Sequence, residues 1–236
     1  MTLQLENVNV HRQGNHVLHN LSLRVEPGEL VCLVGRNGAG KTTTFRAIMG
    51  YHKVASGEIR FGGDSLEGWP THRIAAKGVG YTPEGSDVFG DLTVEDNIAL
   101  PTWTRKTARP ASERLEAAYS IFPKLRGYAH RGGQQLSGGE RKMVSISRAL
   151  ALDPDLLLLD EAFEGLSPAI LPTISAGLRS ILDQGRAVLL AESNFYHLPR
   201  FADRLYVIER GEIVFEGTRA QAEADAATMK IIKGLE

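Results

Sequence analysis

LVCLVGRNGAGKTTTFRAIMG, residues 30 to 50, decides the fold. Its first five residues are continuously apolar, which predicts a strand buried on both faces in a helix-covered sheet. KTTTFRAIMG predicts the helix that follows. Between them, GRNGAGKT from Gly35 to Thr42 has the spacing of a P-loop, whose backbone N–H groups cradle phosphates. In that pattern Asn37, Gly38, Ala39, Gly40, Lys41, Thr42 and Thr43 surround a nucleotide's phosphates. Lys41 reaches the β- and γ-phosphates, and the Thr42 hydroxyl ligates Mg2+.

Working outward, Leu21, Leu23 and Val25 alternate with polar residues before the turn Glu26-Pro27-Gly28-Glu29. Short apolar runs recur at 156–159 and 187–191, with helix-length segments between them. This is the pattern of an α/β fold with a mostly parallel sheet core covered on both faces, accompanied by an antiparallel β subdomain. Ile59 and Phe61 before Gly62-Gly63, and the hairpin RLYVIERGEIVFEG at 204–217 turning at Arg210-Gly211, add antiparallel strands to the edge of the sheet. From about 93 to 135 helix formers predominate, punctuated by Pro101, Pro110 and Pro123, which predicts an inserted helical subdomain. The expected organisation is one domain: a core from 1–85 and 151–218, a helical subdomain at 86–150, and a helix and tail at 219–236.

The 236 residues are 42% hydrophobic and 23% charged, enough apolar content to fill a core. A formal net charge of -1 offers no basic excess for a nucleic-acid partner. The single Cys32 sits inside LVCLV, where a small buried thiol is expected, and it has no partner for an internal disulfide. MTLQLENVNV lacks the basic start and apolar core of a signal peptide, and no apolar run approaches the roughly 20 residues of a membrane span. The expectation is a cytosolic chain that reaches a membrane only through a partner.

Two further stretches carry chemistry. LLLLDE, 156–161, ends a buried strand in two carboxylates. Asp160 is placed to hold Mg2+, through water, and Glu161 to face the γ-phosphate and orient the attacking water. LSGGERKM, 136–143, opens a helix with two consecutive glycines, each costing a helix interior about 1 kcal/mol relative to Ala. A capping box accounts for Ser137 and Glu140, but not for Gly138 and Gly139. Glycines at a helix N-terminus make sense where backbone approaches an anion closely. Ser137, Gly138, Gly139 and Glu140 are therefore read as a second surface for the γ-phosphate of a nucleotide held by a different subunit.

GRNGAGKTT, LSGGE and LLLLDE, in this arrangement and with a helical insert before LSGGE, resemble the ATP-binding cassette (ABC) ATPases over essentially the whole chain. TPEGSDVFGDLTVEDNIAL (82–100), EGLSP (164–168) and AESN (191–194) resemble the LivF-type ATPases of importers for branched-chain amino acids and related amides and urea. The resemblance implies a RecA-like core and a head-to-tail dimer that closes on ATP and Mg2+ beneath transmembrane permease subunits. The second ATPase would be a LivG-like chain or another copy of this one, with a periplasmic binding protein supplying substrate. It places the chain at the cytoplasmic face of the inner membrane.

Residue by residue, the resemblance puts Glu84 at the Q-loop, contacting Mg2+ or the attacking water, and Leu166-Ser167-Pro168 in the D-loop. Ala162 stands where a Pro commonly follows the catalytic Glu. The A-loop position, usually an aromatic that stacks on adenine, is Arg12; losing the stack altogether would cost about 1–2 kcal/mol. The switch position, usually His, is Ser193, with His197 four residues on as a substitute or an ordinary packing residue. The permease contact is expected between Val88 and Trp103, with Phe89, Leu92, Ile98 and Trp103 as apolar anchors. Alternatives are an exporter or lipopolysaccharide-transport ATPase, and a weakly catalytic structural subunit.

Overall fold

The structure, a computed structural model, describes residues 1–234. Strands β1 (Leu3–Arg12) and β2 (Asn15–Val25) form a hairpin and lead to β3 (Leu30–Val34), α1 (Lys41–Ile48), β4 (Val54–Phe61) and β5 (Asp64–Ser65). Then come α2 (Thr71–Lys77), β6 (Val79–Thr82), α3 (Val94–Thr104), α4 (Ala111–Ile121) and α5 (Gly138–Ala151). The chain continues through β7 (Leu156–Asp160), α6 (Leu171–Asp183), β8 (Ala187–Glu192), β9 (Arg204–Glu209) and β10 (Glu212–Gly217), ending in α7 (Arg219–Ala224) and α8 (Ala226–Lys233). No helix among the described residues is long and apolar enough to cross a membrane.

The six-stranded sheet has the order β10-β9-β3-β8-β7-β6. All its pairings are parallel except β9 with β10. All five residues of LVCLV are buried, and the pleat sends them alternately to two cores. Leu30, Cys32 and Val34 face the helical side with α5 and α6, while Val31 and Leu33 face a second, antiparallel sheet. Burial pushes the Cys32 thiol far above its usual pKa.

That second sheet, β2-β1-β4-β5, is the expected antiparallel β subdomain, and it, not the edge of the parallel sheet, holds Ile59 and Phe61. They do not extend the parallel sheet: β4 pairs with β1 and turns Ile59 and Phe61 onto its face, in one core with Leu3, Leu5 and α1. Alternation fixes which face of a strand is buried, not which strand lies beside it. The hairpin at 204–217 forms as expected, but β9 joins β3 in parallel, so only β10 is an antiparallel edge.

The helical segment packs through α3 and α4 against α5, burying Val94, Ile98, Ala118, Met143 and Ile146. It meets α6 at Gly177, where a Cβ would fall 2.5 Å from the Phe122 ring. The expected single C-terminal helix is broken at Asp225, whose extended backbone ends α7 and whose carboxylate accepts from Ala227 N–H (3.1 Å) to start α8. Of the helix and tail expected at 219–236, residues 235 and 236 lie outside the described residues.

Candidate active site

β3 delivers the phosphate cradle. A Cβ on Gly35 would lie 2.3 Å from the Ile208 carbonyl oxygen, so only glycine lets the loop leave β3 beside β9. Gly40, with φ 119°, caps α1 without any side-chain hydrogen bond. The first-turn N–H groups of α1 are thus left for an anion, which the helix dipole favours. Lys41 folds back over the loop, its Nζ donating to Gly35 O (2.8 Å) and Arg36 O (3.3 Å).

β7 delivers the acids. Asp160 is wholly buried, and its Oδ1 has no hydrogen-bond partner among the described residues. Burial raises its pKa to about 6 against an opposing hydrogen bond from the Thr42 hydroxyl. Glu161 follows with φ 51°, a left-handed conformation that costs a residue with a Cβ about 1–3 kcal/mol. Its N–H donates to Ala191 O (2.9 Å), and its carbonyl accepts from Lys142 Nζ (3.0 Å).

These elements converge. Glu161 Oε1 lies 3.1 Å from Lys41 Nζ, with both side chains 5% exposed. Ser193, just past β8, donates its N–H to Glu161 Oε2 (3.0 Å). Its Oγ lies 2.6 Å from Glu161 Oε1, 2.5 Å from Asn37 Oδ1 and 2.9 Å from Lys41 Nζ. The short serine thus reaches the centre of the site directly.

Other expected residues lie apart from this centre. Thr43 is buried in the first turn of α1, and the Ala39 carbonyl accepts from Gly211 N–H (2.8 Å). Glu84 has an exposed side chain, and its carbonyl accepts from Lys142 Nζ (2.9 Å). Arg12 is exposed at the end of β1, on a hairpin where the rings of His11 and His16 stack with centroids 4.3 Å apart. His197 turns to Asn194 (3.1 Å) and not to Lys41. Ser137 and Glu140 form both halves of a capping box on α5 (3.0 and 3.4 Å), without contact to the P-loop. A Cβ at Gly138 would meet nothing within 4 Å, so nothing among the described residues demands glycine there.

Two buried groups escaped the sequence reading. One is Lys142, a cation on the apolar stripe of α5, which is the signal that could have marked it. The other is Glu192, wholly buried, with Oε1 accepting from Phe163 N–H (2.9 Å) and Oε2 unpartnered. A carboxylate closing the apolar run 187–191 was its signal. Burial raises its pKa to about 8 from an ordinary 4.5. Between those values the native state holds a proton that the unfolded chain has lost, so this group's contribution falls as pH rises through the window. Glu192→Gln keeps the acceptor for Phe163 without the charge. It is expected to melt at least 2–4 °C above the parent at pH 8, at least about 1 kcal/mol, and level with it at pH 4, below both values. Thermal melts at both pH values check this, and an equal difference at both would refute it.

A phosphate cradle after β3 and an acid pair after β7, two strands away across β8, define a P-loop ATPase. Residues 18–164 match the ABC transporter family profile, and the chain belongs to that family as an ATP-hydrolysing, nucleotide-binding subunit. It is 39% identical over 220 residues to the high-affinity branched-chain amino acid transport ATP-binding protein BraG of Pseudomonas aeruginosa, covering 92% of this chain and 93% of that protein. It is 34% identical to the lipopolysaccharide export system ATP-binding protein LptB of Haemophilus influenzae, covering 98% and 97%. Its fold matches a nucleotide-free ATP-binding cassette from an ABC transporter at TM-score 0.85 and 24% identity, over 98% of each chain.

Proposed function

We propose that this ATPase energises an importer of branched-chain amino acids or related small polar and amide solutes from the cytoplasmic face of the inner membrane. The observation that supports the chemistry best is the meeting of Lys41, Asn37, Ser193 and Glu161 beside the unpartnered Asp160 Oδ1. On binding ATP, Lys41 leaves Glu161 for the β- and γ-phosphates over the N–H groups of Asn37 to Thr43. Thr42 and Asp160 would hold Mg2+, and Glu84 would join them only if its loop moved its exposed side chain inward. Magnesium is usually bound by one or two protein oxygens plus substrate phosphates, which suits this sparse donor set. Bound there, the ion adds positive charge against the phosphate oxygens. Glu161, released from Lys41 but still held by Ser193, orients the attacking water. Arg12 packs against the base.

Ser137, Gly138, Gly139 and Glu140 serve the site of a second ATPase subunit, a LivG-like chain or another copy of this one. Support for that role is the open space at Gly138: a glycine that this chain does not require suits a surface closing on another molecule. Import rather than export is favoured by the 39% identity to BraG over the 34% to LptB. Lipopolysaccharide export remains the second reading, because LptB matches over 98% of the chain. The test is ATP-driven uptake of labelled leucine by proteoliposomes holding this chain, its permease and its second ATPase, supplied with binding protein. Uptake abolished by Glu161→Gln supports import. ATPase stimulation by lipopolysaccharide without solute uptake overturns it.

The permease surface is proposed on the outer side of the helical segment, where Phe89 is 54% and Trp103 70% exposed. Of the four anchors expected there, Ile98 is wholly buried in the subdomain core and is withdrawn. Phe89→Glu is expected to leave the chain folded and hydrolysing ATP, while cutting its recovery with the affinity-tagged permease at least tenfold. Undiminished copurification would remove Phe89 from the interface.

A further inference from the structure

Lys142 is 3% exposed on the second turn of α5, and no step described above uses it. A buried lysine ordinarily pairs with a carboxylate. Here no carboxylate lies within ion-pair distance of it among the described residues; the ammonium is committed to main chain instead. Nζ donates at 2.9 Å to the carbonyl of Glu84 and at 3.0 Å to that of Glu161. These acceptors belong to the loop after β6 and to the end of β7, while Lys142 itself belongs to the helix that opens with Ser137-Gly138-Gly139.

The Glu161 carbonyl matters because of its backbone. In the left-handed region at φ 51°, the residue would relax toward ordinary torsions if nothing held it, swinging Cβ and the carboxylate away from Lys41 and Ser193. Apart from Lys142, the carbonyl accepts only a long bond from Glu164 N–H (3.4 Å) among the described residues. The Lys142 bond, at 3.0 Å, is closer and its donor is an ammonium, which makes it the stronger kind.

We propose that Lys142 is a positioning residue for Glu161. It holds the strained carbonyl that aims the carboxylate, and it ties that carbonyl to the Glu84 loop and to α5. Displacement of α5 or of the Glu84 loop then shifts Glu161 directly, so the hydrolysis rate depends on where the helical segment sits. The inference rests on the reading of Glu161 as the residue that orients water.

The test compares Lys142→Met, which keeps the apolar stem without a donor, and Lys142→Gln, which restores a donor, with the parent. Steady-state ATPase kinetics, affinity for a fluorescent ATP analogue and amide exchange are measured on each. Lys142→Met is expected to lower kcat about tenfold or more, with KM and analogue affinity within about twofold of the parent, and Lys142→Gln to recover part of the loss. The amides of Phe163 and Glu164 should exchange faster in Lys142→Met while those of β3 are unchanged. A parent-like kcat in a folded, nucleotide-binding Lys142→Met protein overturns the proposal. So does a loss of kcat accompanied by equal loss of affinity and faster exchange throughout, the signature of general destabilisation. Should Lys142→Met not fold, Lys142→Thr, too short to reach either carbonyl, takes its place, and a parent-like kcat with unchanged exchange at Phe163 and Glu164 overturns the proposal. Should Glu161→Gln turn over like the parent, the role of Glu161 fails, yet the exchange readout still decides whether Lys142 holds its backbone.

Discussion

Glu161→Gln is expected to bind ATP at least as well as the parent and to hydrolyse it some 10²–10⁴-fold more slowly, the usual worth of a positioned base. The geometry supports both halves. Glu161 Oε1 sits 3.1 Å from Lys41 Nζ, so a nucleotide entering the cradle must first separate a buried ion pair. Glutamine removes that competition, because a neutral amide oxygen holds the ammonium far less strongly. Its single amide oxygen keeps one of the two Ser193 hydrogen bonds, so the side chain stays beside Ser193. The same substitution should trap the ATP-bound dimer, seen by size-exclusion chromatography with the neighbouring ATPase chain present. Phosphate release within threefold of the parent would sink the assignment of Glu161. Trapping without turnover would mean that Ser137-Gly138-Gly139 and the P-loop meet across two chains.

Lys41→Met is expected to act in the opposite order, abolishing binding first. The ammonium is the only side-chain cation among the described residues that contacts the P-loop carbonyls of Gly35 and Arg36. Charge-assisted bonds to the β- and γ-phosphates are worth about 1.5–3 kcal/mol each, so affinity should fall at least 100-fold. There is a second cost. Glu161 is left buried and charged, with only Ser193 donating to it, which should destabilise the fold by about 1–3 kcal/mol. Adding Glu161→Gln should restore the melting temperature but not ATP binding. If the double variant recovers neither, the stability loss comes from somewhere other than the orphaned carboxylate. If Lys41→Met alone binds ATP within fivefold of the parent, the lysine is not the phosphate anchor.

Much of this site is local in the sequence, and that part was legible. LVCLV running into GRNGAGKT needs no distant residue to be recognised, because strand, glycine turn and helix are successive. LLLLDE is legible for the same reason. What escaped depends on partners far along the chain. The carbonyls that Lys142 binds lie 58 and 19 positions away, so sequence shows only an ill-placed cation on an apolar stripe. Glu192 is comparable: its acceptor role appears only when the chain after β7 returns Phe163 to it across 29 positions. The antiparallel subdomain was expected, but the alternation of Ile59 and Phe61 does not say which sheet they join; the pairing of β4 with β1, Leu3 opposite Phe61, settles that. Ile98 was offered as a surface anchor because an apolar residue on a short helix carries no mark of which side will be covered.

Cys32 is the sole cysteine, it is completely enclosed, and its thiol is held in the unreactive protonated form. In the folded chain it should be silent to maleimides, so Asn37→Cys and Gly138→Cys would carry the only reactive sulfurs, and a crosslink between chains could be read without background. The same silence makes Cys32 a clock. Because β3 lies at the centre of the sheet, its labelling waits for the whole molecule to open, and the rate at which one thiol per chain appears times that opening under native conditions.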